Sequence, residues 1–502
     1  MYRLLFILTT LSLPAYSETS SLWGEDGENW KVTALFDYSA AGYREGASLP
    51  DEFSACKQID VTSFGAVPND GKDDTAAFRK ALESASGRCV INIPEGHFSI
   101  SDRLTITTPT TVLRGKSKTK TILEITTGLE DIDPKPTKNA GGTPTSSYSW
   151  SGGFLRIIGK SKASKVGVVT ELAPRGTRRI KLDTAKHPPK LNDRIRITQR
   201  SSSNQALLRH VYADDPGNIS KVGSEKRLAL YARVVKIDGT TLWLDRPLPC
   251  DVRPEWAAEV AIDQPTLQYS GIESLTVSFP PHTYRGHFTE RGYNAINIKS
   301  VSDCWVRDIA IINADSGIFL KGVHCTITDV TLSSPDVKTK NANQPDHNTL
   351  TGHHGIIAGG CYNLVEKIDF QCVFIHDLTV SGSFANVFCT SKGINMSLDH
   401  HKRGPFSNLF TDLDLGHGSR FLKSGGGANL GRNSGAWSTF WNIRSENPVS
   451  LSSGFAPIQT NFVGVNPSKP QAVKDRGYHL EIAPRQPTNL YQAQAKKRAA
   501  AK

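Results

Sequence analysis

Four short segments share one pattern: Tyr293-Asn-Ala-Ile-Asn-Ile, Asp315-Ser-Gly-Ile-Phe-Leu, His353-His-Gly-Ile-Ile-Ala and Ser391-Lys-Gly-Ile-Asn-Met. Each places two polar or aromatic residues before a small residue, an isoleucine and an alternating strand. A short strand that recurs every few tens of residues is typical of a solenoid, in which each rung buries its apolar face against its neighbours. Equivalent residues of stacked rungs then form columns with a spacing of about 4.8 Å.

The two positions before the small residue predict two columns along the outside of the solenoid. The first contains Tyr293, Asp315, His353 and Ser391, and the second contains Asn294, Ser316, His354 and Lys392. A second set of strands begins at Gly271, Val306, Ile327, Ile375 and Phe410. The last four of these strands carry Asp308, Asp329, Asp377 and Asp412 at one register. We interpret these aspartates as a column that stabilises turns rather than as a carboxylate cluster.

The N-terminal region contains Asp60-Val-Thr-Ser-Phe-Gly-Ala-Val-Pro-Asn-Asp-Gly-Lys-Asp-Asp-Thr-Ala-Ala-Phe-Arg-Lys-Ala-Leu, followed by Val90-Ile-Asn-Ile-Pro-Glu-Gly-His-Phe. Asp74 or Thr75 can cap a helix. The apolar face of that helix comprises Ala77, Phe78, Ala81, Leu82 and Ala85. Such an amphipathic helix is suited to cover the open end of a solenoid.

This segment closely resembles the N-terminal segment of the pectate lyase superfamily, whose members are right-handed parallel β-helices. The resemblance is specific for fold and weak for reaction, because the superfamily includes lyases, hydrolases, epimerases and phage tailspikes. We therefore expect an all-β, right-handed parallel β-helix from a secreted, polysaccharide-degrading branch. The predicted parts are a signal peptide (1–17), an N-terminal arm (18–58), a cap with the first rungs (59–159), an inserted β-rich sub-domain (160–265), the main ladder (266–447) and a C-terminal cap and tail (448–502).

Residues 1–17 have the features of a secretory signal. Arg3 gives the positive start, Leu4 to Leu13 form the apolar core, and Ala15-Tyr16-Ser17 is a small-x-small cleavage site. That core is too short to span a bilayer, and no other stretch is long and apolar enough to do so. We therefore predict a secreted or periplasmic protein.

The chain of 502 residues carries a formal net charge of +11. An exported basic protein can bind nucleic acid, an anionic surface or an acidic polymer. No nucleic-acid-binding signature is present, so we expect the partner to be an anionic polysaccharide rather than nucleic acid or a membrane. We also expect the protein to be a monomer. The alternative is that the charge only promotes solubility.

The eight cysteines include no zinc-binding spacing. Cys304, Cys325 and Cys361 each begin a similar strand, so we expect them to stack inside consecutive rungs. Neighbouring rungs are close enough for a disulfide, and a column of buried thiols is the alternative.

Ten of the fourteen histidines fall between residues 282 and 417. A lyase that acts on uronates needs a cation to neutralise the carboxylate, a base to remove the C5 hydrogen and a donor to the leaving oxygen. A glycoside hydrolase instead needs two carboxylates that flank the scissile bond. The predicted strip is rich in His, Lys and Arg and poor in carboxylates, which favours elimination over hydrolysis.

We assign the base to His353 or His354, with Asp315 to orient the imidazole. Arg403 and Lys392 would neutralise the substrate carboxylate, and His400 or His401 would donate to the leaving group. The alternative for both His pairs is a structural turn. The residues expected to bind the sugar are Arg291, Tyr293, Asn395, Asp399, His417, Arg420 and Lys423.

The sequence demands no cofactor. A Zn²⁺ site built from His347, His353 and Asp315 is one option, and Ca²⁺ held by aspartates, which occurs in part of the superfamily, is another. Two other functions also remain. One is a glycoside hydrolase that uses Asp315 and Asp399, and the other is a non-catalytic, tailspike-like carbohydrate-binding protein.

Overall fold

The computed structural model describes residues 18–51, 53, 55–139, 141–183, 188–200, 205–223, 227–335, 349–452 and 454–501. The predicted signal peptide and His347 lie outside the described residues. Among the described residues, no helix is both long and apolar enough to span a membrane.

The chain folds as a right-handed parallel β-helix with two main sheets. The long sheet has fourteen strands. They are Lys57–Asp60, Cys89–Ile93, Gly96–Ile100, Thr111–Gly115, Thr121–Ile125, Gly271–Ser278, Trp305–Ile312, Thr326–Ser333, Leu364–Phe370, Val387–Gly393, Leu409–Asp414, Thr439–Arg444, Asn461–Val465 and His479–Glu481. The second sheet has seven strands, Leu104–Ile106, Leu155–Ile158, Asn294–Ser302, Ser316–Val323, Leu350–Ala358, Val373–Val380 and Leu398–His400.

A six-stranded antiparallel sheet occupies the region of the predicted insertion. Its strands are Ser161–Val168, Arg179–Lys181, Arg194–Arg200, Arg227–Asp238, Thr241–Leu244 and Glu259–Pro265. Pro136–Lys138 and Pro144–Ser146 form a small hairpin. The helices are Tyr43–Gly46, Thr75–Glu83, Leu129–Ile132, Ala206–Val211, Pro470–Asp475 and Leu490–Ala500, and the 3₁₀ turns are Val61–Phe64, Ser147–Ser149 and Pro254–Trp256.

The helix Thr75–Glu83 packs its apolar face on the first rungs. Ala77, Phe78, Ala81 and Leu82 are buried in the main core. Asp74 precedes the helix, but its carboxylate accepts a hydrogen bond from Val67 N at 2.9 Å and makes no side-chain cap.

Stacked side chains fill the interior of the later rungs. Phe388, Phe410, Phe440 and Phe462 stack with ring centroids 4.8, 5.2 and 5.1 Å apart and nearly parallel planes. We call these four residues the phenylalanine stack. Parallel in-register strands place identical side chains at van der Waals distance, so each ring buries both of its faces.

Asn461–Val465 and His479–Glu481 extend the long sheet, so the predicted end of the ladder at 447 is wrong.

The aspartate column is present at three of its four predicted positions. Asp308, Asp329 and Asp412 adopt φ values of 56°, 55° and 54° within strands of the long sheet. Short polar side chains tolerate this left-handed conformation better than most residues do. Asp377 does not belong to the column, because its strand, Val373–Val380, lies in the second sheet.

All eight cysteines are buried as thiols. Cys304 and Cys325 occupy equivalent positions before the paired residues Trp305 and Thr326. The next rung has Asn363 there, because Thr326 pairs with Leu364. The prediction that Cys361 continues the column is therefore wrong.

Candidate active site

The first predicted column forms in the second sheet as far as His353. The backbone N–H of Asp315 donates to Tyr293 O at 2.8 Å, and that of His353 donates to Asp315 O at 2.7 Å. In the second column, Asn294 pairs with Ser316 and Ser316 pairs with His354. These pairings place His353 and His354 side by side in the middle of the sheet.

The fourth rung differs from the prediction. His354 pairs with His376, whereas Ser391 and Lys392 lie in the long sheet. Lys392 is exposed, and its Nζ lies 3.7 Å from Asp369 Oδ2. Lys392 is therefore not part of the strip and cannot neutralise a substrate bound there.

Five imidazoles meet on this strip, and we call them the histidine cluster: His287, His353, His354, His376 and His401. The ring centroids of His353 and His354 are 3.9 Å apart, and those of His354 and His376 are 5.0 Å apart. His287 comes from the loop before the strand Asn294–Ser302, and its Nε2 lies 2.8 Å from His353 Nε2. His401 follows the last strand of the sheet, with its ring 5.4 Å from that of His376.

Two buried carboxylates support the cluster from behind. Glu290 Oε1 lies 3.1 Å from His353 Nδ1 and accepts from the Tyr284 hydroxyl at 2.8 Å, while its Oε2 accepts from Ser149 at 2.6 Å. Burial raises the pKa of Glu290, but the contacts with His353, Ser149 and Tyr284 outweigh it and lower that pKa to about 2. The carboxylate is therefore ionised beside His353.

Asp399 holds the other end of the cluster. Its Oδ2 lies 3.0 Å from His401 Nδ1 and 3.3 Å from His376 Nδ1, and its Oδ1 accepts from Gly425 N at 2.8 Å. Burial raises the pKa of Asp399, but His376 and His401 lower it overall. An ionised carboxylate at this distance fixes the tautomer and the ring orientation of His401.

Burial keeps much of the cluster neutral. It lowers the pKa of His376 to about 3, that of His287 to about 4 and that of His354 well below 6.5, and the neighbouring imidazoles add to each shift. His287 is exposed, and the side chain of His401 is 35% exposed. Because His353 and His354 are only 2% and 4% exposed, a molecule that approaches from solvent meets His401 and His287 first.

Gly425 closes the cluster on the side of the loop 424–427. A Cβ atom at this position would lie 2.6 Å from His401 Cε1 and 2.9 Å from His376 Cε1. Only glycine allows the loop backbone to approach both rings and still donate to Asp399.

Three predicted site residues are buried and contact the fold instead of lining the strip. His400 is buried, and its ring lies 5.1 Å from Phe410 and 5.6 Å from Phe440, so it faces the interior and cannot donate to a leaving group. Arg420 is buried, with bonds to Asp377 and to backbone carbonyls. Asn395 is buried and donates to Ser419 Oγ at 2.8 Å. Alternation along the strand explains His400, since the ring of His401 takes the opposite face.

The remaining predicted residues lie at the rim or beside the strip. Asp315 is buried, with its Oδ1 3.0 Å from His282 Nε2 and its Oδ2 accepting from Tyr293 N at 3.0 Å. Arg291 is exposed and bonds Asp131 at 2.7 Å. Arg403 and Lys423 are exposed, His417 is half-buried, and Tyr293 is largely buried. Asp315 therefore supports His282, whereas Glu290 supports His353.

Sequence reasoning missed His287, Glu290 and His376. The first two lie in a loop that has no strand pattern, and only the density of His, Tyr, Arg and Glu between 282 and 293 marks it. A cleft of about 680 Å³ exists elsewhere, between the N-terminal arm, the antiparallel sheet and the C-terminal helix. Its lining includes no residue of the histidine cluster.

One family model matches part of this chain. The family described as "Rhamnogalacturonase A/epimerase, pectate lyase-like" matches residues 58–212, which include the cap and the first rungs. A search of curated protein sequences finds no significant match. Several solved structures also match this chain at low sequence identity.

The tailspike protein gp49 from Pseudomonas phage LKA1 is 12% identical, with 81% of this chain and 72% of that chain covered and a TM-score of 0.39. A polygalacturonase from Erwinia carotovora ssp. carotovora is 10% identical, with coverage of 89% and 99% and a TM-score of 0.39. The A-module of the Azotobacter vinelandii mannuronan C-5 epimerase AlgE4 is 10% identical, with coverage of 81% and 76% and a TM-score of 0.32.

Proposed function

We propose that this protein is a secreted polysaccharide lyase that cleaves an acidic, uronate-containing polysaccharide by β-elimination. The observation that carries the proposal is the pair His401–Asp399. It places a solvent-reaching imidazole, oriented by a buried carboxylate at 3.0 Å, on the outer strip of the β-helix. A solvent-reaching imidazole that a carboxylate holds in place is a suitable base for a C5 hydrogen.

The base assignment moves from His353 or His354 to His401. His353 is covered by His287, and His354 is enclosed by its neighbours, so neither can reach a sugar ring directly. His401 removes the C5 proton, the electron pair left on C5 forms the double bond to C4 as the C4–oxygen bond breaks, and the departing oxygen takes a proton from water. Arg403, which follows His401 by two residues and is exposed, is the cation that we retain for binding the uronate carboxylate.

The hydrolase alternative receives less support from the site. Hydrolysis with two carboxylates requires one of them to donate a proton to the glycosidic oxygen. Asp315, Asp399 and Glu290 are each at most 5% exposed. Every oxygen of these carboxylates contacts a donor or an imidazole. None of the three presents a free edge to a bound polymer.

A product assay tests the proposal. The secreted protein is incubated with a panel of uronate-containing and sulfated polysaccharides, and ultraviolet absorbance of unsaturated ends is followed together with reducing ends. We expect both signals to rise on a uronate polymer and on no neutral one. Reducing ends without absorbance would indicate a hydrolase. Binding without products on the uronate polymers would favour the tailspike-like alternative and contradict the lyase.

A further inference from the structure

The histidine cluster contains a group of side chains that proton transfer by His401 does not use. His287, His353 and His376 each offer a ring nitrogen, and these three atoms lie within 4.8 Å of one another. The Nε2 atoms of His287 and His353 are 2.8 Å apart. Between two neutral imidazoles, this distance fits one shared proton. When both nitrogens present lone pairs instead, a third partner is needed between them.

His376 provides the second, independent observation. It is 4% exposed, and neither of its ring nitrogens has a hydrogen-bond partner among the described residues. Its Nδ1 lies 3.3 Å from Asp399 Oδ2 but outside hydrogen-bond geometry. A buried polar atom without a partner is costly, and such an atom at a functional site points to a ligand.

From this geometry we propose a site for one divalent transition-metal ion of the Zn²⁺ class at His287, His353 and His376. Metal–nitrogen bonds of about 2.0–2.1 Å in a tetrahedral site place the nitrogens roughly 3.4 Å apart. The present separations, 2.8 Å between the Nε2 atoms of His287 and His353 and at most 4.8 Å within the group, bracket that value. Three protein ligands leave a fourth position open, and this arrangement is typical of catalytic rather than structural zinc.

The carboxylates behind the rings match the expected outer shell of such a site. Glu290 faces Nδ1 of His353 at 3.1 Å, and Asp399 faces Nδ1 of His376 at 3.3 Å. Metal-bound histidines usually direct their other ring nitrogen at a carboxylate or a carbonyl, which orients the ring and strengthens the ligand. This pattern separates the group from an accidental cluster of aromatic rings.

The ligand chemistry also decides the class of metal. Neutral imidazoles suit Zn²⁺, Co²⁺, Ni²⁺ and Cu²⁺, whereas Ca²⁺ and Mg²⁺ require oxygen ligands. In the Zn²⁺ site considered from the sequence, His353 shares the ion with Asp315 and His347. Asp315 is instead bound by His282 and Tyr293, and His347 lies outside the described residues.

A second possible group, His376, Asp399 and His401, shares His376 with the first. We assign the ion to the three histidines because Asp399 already accepts from His401 and Gly425. An ion at the three histidines would lie beside His401 and face the carboxylate of a bound uronate. That role rests on the proposed function, whereas metal binding does not.

The test is a metal titration of the full chain without substrate, after dialysis against a chelator. Zn²⁺ and Co²⁺ are titrated by calorimetry and by the visible absorption of Co²⁺, with Ca²⁺ as the control ion. We expect one Zn²⁺ per chain and an intense Co²⁺ spectrum of low coordination number. Because no sugar is present, failure of this experiment leaves the lyase proposal untouched, and failure of the product assay leaves the metal site untouched.

The variants locate the ion. His287→Ala changes an exposed loop residue and should preserve the fold, yet it should weaken Zn²⁺ binding roughly a hundredfold or more, and Glu290→Gln should weaken it about 10- to 100-fold. His97→Ala is the matched control, since His97 is a half-exposed histidine that contacts Glu124 far from the cluster, and it should bind as the parent does. His401→Ala should keep the full stoichiometry. The proposal is overturned by absent Zn²⁺ binding, by unchanged affinity in His287→Ala, or by loss of the ion in His401→Ala alone.

Discussion

The phenylalanine stack and the histidine cluster are both columns of aromatic rings on neighbouring rungs, but they differ in regularity. In the stack, one residue type repeats across four rungs with rings about 5 Å apart and nearly parallel. In the cluster, the rings come from two strands, a loop and a strand end and meet at varied angles, and buried nitrogens of His354 and His376 lack partners among the described residues. Repetition satisfies every ring and stabilises the rod, whereas departure from it leaves polar atoms available for chemistry. The following substitutions test that contrast.

The largest effect should come from His401→Ala. Removing the imidazole that we assign as the base should lower kcat/KM on a uronate polymer by about 10²–10⁴-fold. The free energy of unfolding should change little, because the side chain is 35% exposed. Initial rates of absorbance increase measure the first quantity, and urea unfolding measures the second. His97→Ala serves as the control and should keep full activity. Undiminished activity in His401→Ala would remove the base from this position.

Phe440→Ala should show the reverse behaviour. Phe440 stacks between Phe410 and Phe462 and is fully buried, so its truncation should lower the free energy of unfolding by about 3–5 kcal/mol. The fraction that remains folded should keep the parent kcat/KM. Denaturant titration, with activity normalised to folded protein, measures both. A specific loss of activity at unchanged stability would mean that the stack and the cluster are not separate in function.

Gly425→Ala should affect the cluster through geometry alone. The added Cβ would meet His401 Cε1 at 2.6 Å, so the ring or the loop must shift. A displacement of this kind should lower kcat about 10- to 100-fold. Gly239→Ala is the control variant. Gly239 also has a positive φ, but a Cβ atom there would meet nothing within 4 Å, so this variant measures backbone strain without a side-chain contact. Equal activity in parent and Gly425→Ala would show that the loop yields without moving His401.

His400 allows the contrast to be tested by pH. Burial lowers its pKa from 6.5 to about 4. The unfolded chain therefore binds more protons than the folded chain between these values, and stability should fall as the pH drops from about 6.5 towards 4. The contribution is about 1.4 kcal/mol per pH unit within that window. His400→Phe should remove this part of the slope while keeping an aromatic ring in the same surroundings. Parallel stability–pH curves for parent and variant would show that His400 does not contribute to the pH dependence of stability.

The smallest effect should come from Asp412→Asn. Asp412 has a left-handed backbone conformation, and its Oδ1 accepts from Arg444 at 2.7 Å near the surface. Asparagine tolerates this conformation, and an exposed ion pair contributes at most about 1 kcal/mol. Thermal unfolding and the product assay should both match the parent. A large loss of activity would revive the interpretation of the aspartate column as catalytic.

Much of the fold could be predicted because it depends on local patterns. The helix Thr75–Glu83 and the repeated strands with Ile after Gly carry their own signals. The prediction for the fourth rung is wrong because Leu364–Phe370 and Val373–Val380 are adjacent strands with similar alternation. The pattern places Val373–Val380 in the long sheet, where Leu364–Phe370 belongs. The predicted site therefore lacks His376 and wrongly includes Lys392.

The site was predicted only in part, because its geometry depends on long-range packing. His353, His354, His401 and Asp399 were found because they lie on or beside strands of the second sheet. His287 and Glu290 reach the strip from a loop whose path no periodicity encodes. The inward position of His400 follows from the register of its strand, which the sequence pattern did not define at the strand end.

The most direct test of the central claim is to follow the fate of the C5 hydrogen. A uronate polymer labelled with deuterium at C5 is incubated with the parent protein and with His401→Ala, and NMR measures both loss of the label and formation of the unsaturated end. We predict that the parent releases the label in step with unsaturated product, and that His401→Ala releases it at least about a hundredfold more slowly. Chain cleavage by the parent with the C5 label fully retained would contradict the account.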